Sequence, residues 1–172
     1  MNNKDRIFWI TRSSVFIALL IVLQAATAQF GNIFITGSVV NLILIVSVMT
    51  CGLATGITVA AFSPAVATLL GIGPLWILVP FIAAGNIALV VLWHYIGRRR
   101  SCIVAAVIGA VAKFLVLYIG IVRIAAPVMG LPEQQLAVIS FMFSVPQLIT
   151  ALIGGVLATI ILPMLKNASG TT

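Results

Sequence analysis

The chain has 172 residues, of which 63% are hydrophobic and only 6% charged, and its mean hydropathy is +1.32. A soluble domain carries about 25% charged residues, so water is excluded as the solvent, and the length holds about six membrane spans of ~20 residues with no room for a second, soluble domain. Nine Lys and Arg against two Asp and Glu leave a net charge of +7, which in a membrane chain sits in loops and sets orientation and does not imply nucleic acid.

Lys4, Arg6 and Arg12 precede the first predicted span, at about 13–30. The same region also has the form of a secretory leader: a basic start, the apolar run Val15 to Leu23, and the A-x-A tripeptide Ala26-Thr27-Ala28. Cleavage there would leave an odd count of five spans. Gly31-Asn32 and Thr36-Gly37-Ser38 form a polar segment before the second span, 39–51, and Gly52 to Gly56 turns the chain into the third, 57–70. Gly71-Ile72-Gly73-Pro74 breaks helix ahead of the fourth, 75–96. Arg98-Arg99-Arg100 forces the chain out of the hydrocarbon, and the fifth span covers 101–124. Pro127 to Gln135 is a polar loop, the sixth span covers 136–165, and Lys166 follows. The expected fold is an all-α integral membrane protein, a single domain over 1–172 built as a bundle of six transmembrane helices. Six spans place the three basic clusters on one side, which an excess of Lys and Arg marks as cytoplasmic. Both termini are therefore expected in the cytoplasm. No segment shows the ten-residue alternation of a membrane β-barrel.

Polar residues inside the spans are the candidates for function. Lys113 lies about twelve residues into the fifth span, close to the midplane at 1.5 Å per residue, where a lysine costs about 2.5–3.5 kcal/mol on insertion scales. It either meets an anionic or carbonyl group of a ligand, or pairs with another helix, or snorkels toward the cytoplasm. Counting depth from the span ends puts Gln24, Asn86 and Gln147 near the same level, from three further helices. Tyr118 and Arg123 stand further out on the helix of Lys113, and Asn41 lies near the outer side of the second span. Such groups would line a pocket that opens outward; the alternative is interhelical hydrogen bonding, worth about 0.6 kcal/mol per bond on average. Pro64 and Pro146 free backbone carbonyls that a ligand or neighbour can use. Trp76, Trp93, His94 and Tyr95 near the ends of the fourth span are expected mostly as headgroup anchors, and His94 has no second His or acidic partner for a metal site.

Ser14 and Ala18 sit four residues apart on the first span, and Gly52, Gly56 and Ala60 repeat that spacing. Small faces of this kind let helices approach closely, within the bundle or against another subunit. Cys51 and Cys102 are expected as small apolar fillers. No phosphate loop, H-E-x-x-H, G-x-S-x-G or Cys/His metal spacing occurs, so no enzyme, cofactor or metal site is expected. With two acidic residues in all, a relay of membrane carboxylates is not available, and uphill transport would need energy from a partner.

Thr36-Gly37-Ser38-Val39-Val40-Asn41, Gly52-Leu53-Ala54-Thr55-Gly56, Phe62-Ser63-Pro64, Leu70-Gly71, Val79-Pro80, Gly85-Asn86 and Lys113-Phe114 together resemble the substrate-binding S components of energy-coupling factor transporters, over about the whole chain. The resemblance implies a protein of the cell membrane, prokaryotic inner or plasma, that binds a vitamin or related micronutrient in an outward-facing pocket. It would work with a membrane T component and two cytoplasmic ATPases. Carried onto this sequence, the pocket candidates are Asn41, Asn86, Lys113, Tyr118 and Gln147. The first outer loop, Gly31 to Ser38 with Asn32, Thr36 and Ser38, would be a lid. The A-x-x-x-A docking pattern of the family is here Ser14-x-x-x-Ala18, a departure that keeps a small surface. Lys113 and Arg123 favour a carboxylate-bearing substrate such as pantothenate. Two other functions fit the same composition: a self-sufficient small facilitator, and a structural or assembly membrane protein without a ligand.

Overall fold

A computed structural model describes residues 3–99 and 101–168; Arg100 of the arginine cluster, and Ser169 onward, lie outside the described residues. Among the described residues there is no strand. The helices are α1 (Asn3–Ala28), α2 (Ile33–Cys51), α3 (Leu53–Leu69), α4 (Val79–Leu92), α5 (Cys102–Leu117), the single turn α6 (Ala126–Val128), α7 (Glu133–Met142) and α8 (Val145–Ala168). A 3₁₀ turn, Trp76–Leu78, leads into α4 and a π turn, Trp93–Gly97, prolongs it; a π segment, Tyr118–Ala125, joins α5 to α6. Five stretches are long and apolar enough to cross a membrane: Asn3–Ala28, Ile33–Cys51, Trp76–Gly97, Cys102–Val128 and Glu133–Asn167. The shorter apolar helix α3 has 17 residues, about 25 Å at 1.5 Å per residue.

Several boundaries differ from those expected: α1 begins at Asn3 and not at 13, and α3 begins at Leu53, so that only Gly52 of the expected turn Gly52 to Gly56 lies outside a helix. Residues 33–38 are helical, because Asn32 caps α2 by accepting from the Phe34 and Ile35 amides at 2.9 and 3.4 Å. Thr36 and Ser38 thus stand in the first turns of a helix and not in a loop, and Ser38 is buried. The loop expected over Pro127 to Gln135 shrinks to four residues, 129–132, between α6 and α7. The sixth span is broken at Phe143-Ser144. Pro146 has no N–H to give to the Met142 carbonyl, and the Gln147 side chain donates to it instead at 3.2 Å. The chain restarts as α8 with that proline in its first turn.

The six long helices close a ring in the order α1, α2, α8, α5, α4, α3, with α3 returning to α1. In α2 every residue from Ile43 to Val48 is buried, the pattern of a helix apolar all round and enclosed by its neighbours. Gly52 alone separates α2 from α3. Its φ of 90° lies in the left-handed region that only glycine enters freely, and this permits so abrupt a reversal. At the α2–α8 contact, a Cβ on Gly154 would lie 2.7 Å from Asn41 Cβ and 2.8 Å from the Ser38 carbonyl, so glycine sets how closely these two helices approach. Gly56 and Ala60 are buried, which assigns their small surface to packing inside the bundle. Cys51 and Cys102 are free thiols.

Two apolar clusters fill the ring. The larger includes Leu20, Leu44, Val48, Val59, Leu89, Trp93 and Ala106; the smaller joins Leu78, Leu117, Ile121, Ala125 and Phe143. Trp93 is fully buried, not a headgroup anchor, whereas Trp76 and Tyr95 remain half exposed.

Candidate functional site

Lys113 belongs to a stripe on α5, Ala106, Gly109, Ala110, Lys113 and Leu117, that faces the ring interior at spacings of three and four. Small residues on one side and Leu117 on the other bring this stripe close to α4 and α8, so the ammonium is carried inside the bundle; Lys113 is 3% exposed. Its Nζ donates to Asn41 Oδ1 at 2.6 Å. The Asn41 amide in turn donates to Thr150 Oγ1 at 3.4 Å, and that hydroxyl donates to the Gln147 carbonyl at 3.2 Å. One chain of hydrogen bonds therefore links α5, α2 and the first turns of α8.

A cavity of about 110 Å³ opens beside this chain. All six long helices contribute to its wall, among them Gln24 of α1, Ser63 of α3, Asn86 of α4, Lys113 of α5 and Gln147 of α8, with Pro74 and Phe143 from two connections. The four polar side chains placed at one level by depth counting, Gln24, Asn86, Lys113 and Gln147, thus meet at a single cavity. Their bonding differs. Gln24 donates to the Ile72 carbonyl at 3.4 Å and Gln147 to the Met142 carbonyl. Asn86 is 2% exposed and its Oδ1 has no hydrogen-bond partner. A buried acceptor left unpaired costs about 1–3 kcal/mol. No family model, no curated protein and no solved structure matches this chain.

Other expected site residues lie elsewhere. Asn41 reaches the site through Lys113 and does not line the cavity. Tyr118 does not line it either: five residues after Lys113 it points about 140° away round the helix. It stacks on Phe114 at 5.6 Å, and the Arg123 guanidinium lies over its ring at 5.4 Å. Asn32, Thr36 and Ser38 are absent from the wall; the two connections that reach the cavity are those of Pro74 and Phe143. Ser14 and Ala18 lie exposed on α1.

Thr150 and Phe143 were not singled out from the sequence, and Ser63 was named only within Phe62-Ser63-Pro64. Ser63 precedes Pro64 and Thr150 follows Gln147 by three, so both carried a positional signal. Phe143 carried none. A wider hollow of about 330 Å³ runs along α7 between Gln134, Gln135, Val138 and Ile139; one helix supplies that whole list, and no polar groups converge there from several elements. Among the described residues no group of three His, Cys, Asp or Glu stands close enough to hold a metal ion.

Electrostatically the cavity has one cation and no acid. The two carboxylates of the chain, Asp5 and Glu133, are exposed in the first turns of α1 and α7, and neither lines the cavity. The arrangement can hydrogen-bond a small solute from several sides and meet a negative charge.

Proposed function

We propose that this chain is the substrate-binding subunit of an importer of the energy-coupling factor type. In this reading it spans the cell membrane six times with both termini cytoplasmic. It captures a small water-soluble vitamin or precursor from outside and delivers it through a partner T component and two ATPases. The substrate is a carboxylate-bearing micronutrient such as pantothenate. The observation that carries the proposal is the convergence of polar side chains from α1, α3, α4, α5 and α8 on one cavity, in helices otherwise apolar enough to cross a membrane. Interhelical bonding alone needs pairs, whereas here five elements turn polar groups toward one space.

At about 110 Å³ the cavity is below the 300–1,000 Å³ of most ligand sites. Capture of a whole vitamin therefore requires the cover to move. Phe143 is placed for that, at the break between α7 and α8, and α7 has no buried residue to hold it down. A second reading, a bundle whose polar residues only tie helices together, is favoured by the Lys113–Asn41, Asn41–Thr150 and Gln24–Ile72 bonds. Mass spectrometry of small molecules retained by the purified protein separates the two: a stoichiometric solute supports capture, and its absence favours the structural role. Uptake that persists without partner ATPases would instead indicate a self-sufficient facilitator.

A further inference from the structure

We infer that the solute is a monoanion, with its one carboxylate facing Lys113. The inference rests on the capture reading above and specifies the chemistry of that site.

The charge follows from what surrounds Lys113. A lysine buried in a membrane bundle is most simply balanced by Asp or Glu, yet its partner at 2.6 Å is the neutral amide of Asn41. An aspartate at that position would have nearly the same size and would neutralise the ammonium outright. The amide solvates the cation and leaves its charge uncompensated, and neither acidic residue of the chain lines the cavity. The site is thus one negative charge short. A monoanion completes it, while a cationic solute would add like charge and a dianion would leave a buried negative charge unpaired.

Size limits what lies inside: a cavity of about 110 Å³ takes a carboxylate and one or two further atoms. The remainder of a larger solute lies beyond Phe143.

The test uses the full chain purified in detergent and measures thermal stability and titrated affinity with glycolate, acetate, acetamide and chloride at matched ionic strength. Glycolate and acetate should both stabilise, and acetamide and chloride should not. Asn41→Asp should raise the melting temperature without solute and weaken glycolate binding by about tenfold or more, the scale of a charge-assisted hydrogen bond. Loss of binding in a protein that has become more stable is not misfolding. Lys113→Met should lose glycolate in the same way. Equal stabilisation by glycolate and acetamide, or by glycolate and chloride, would overturn the assignment, as would undiminished glycolate binding by Asn41→Asp. A neutral or cationic compound retained in stoichiometric amount would overturn the charge assignment while leaving capture intact. No binding by any panel compound, with no retained solute, would remove capture itself.

Discussion

Replacing Asn41 with Leu should destabilise the protein far more than replacing Asn41 and Lys113 together. Asn41→Leu deletes the acceptor 2.6 Å from Lys113 Nζ and the donor to Thr150, and leaves the ammonium buried without its acceptor. A neutral interhelical bond in a membrane averages about 0.6 kcal/mol and reaches about 1.7. A lysine at the centre of a span costs about 2.5–3.5 kcal/mol, and Lys113, 3% exposed, has little freedom to reach water. The charged donor should therefore dominate, and the single variant should lose roughly 2–3 kcal/mol. In the double variant Asn41→Leu, Lys113→Met both partners are apolar and of similar size, so most of that loss should return. The coupling energy from the double-mutant cycle, measured by reversible unfolding in mixed micelles, should exceed about 1.7 kcal/mol. A coupling under about 0.5 kcal/mol would refute the reasoning, since the bond would then carry no more than two sites that do not interact.

Gly154→Ala puts a methyl against Asn41 and the Ser38 carbonyl, at 2.7 and 2.8 Å; α2 and α8 must separate, at about 1–3 kcal/mol of stability, visible as a lower melting temperature. Widening the cover with Phe143→Ala should cost about 3–5 kcal/mol if the site does not collapse and speed dye entry to a cysteine introduced at Ser63, measured by labelling rate. Bulky residues at Ser14 and Ala18, both exposed, should block uptake while solute binding by the isolated chain is unchanged; normal uptake by the Ser14→Trp, Ala18→Trp double variant would count against that docking surface. Cysteines at Asn3 and Asn167 should label only from the cytoplasmic side, and labelling of either from outside intact cells would overturn the six-span orientation.

Depth along a helix was legible in the sequence because rise per residue is constant and the span ends are marked by arginines, glycines and prolines. Gln24, Asn86, Lys113 and Gln147 could be placed at one level on that basis, and they line one cavity. Azimuth was harder to read. In α2 the polar residues Thr36, Ser38, Asn41, Ser47 and Thr50 share no single face, so nothing in the pattern says which way Asn41 points or that Lys113 will meet it. The angle of Tyr118 from Lys113 was readable, since it follows from 3.6 residues per turn, and it places Tyr118 outside the wall of this cavity. The start of α2 also had a signal, since Asn32 ahead of Ile33-Phe34-Ile35 is an N-cap followed by apolar residues. The break at Phe143-Ser144 was foreshadowed by a sixth stretch longer than one crossing needs and by Pro146 within it. What no local pattern could supply was the pairing of α2 with α8 across 109 residues of sequence, which rests on the fit of Gly154 against Asn41.

The length of α3 has a consequence for the lipid around it. Its 17 residues reach about 25 Å against a hydrocarbon core of about 30 Å, and its Phe62 and Leu69 side chains point outward. In the six-span reading proposed above, acyl chains beside α3 would shorten or tilt to match, at fractions of a kcal/mol for each ångström of mismatch. A thicker, more ordered bilayer would then raise the cost of keeping the α3 side thin.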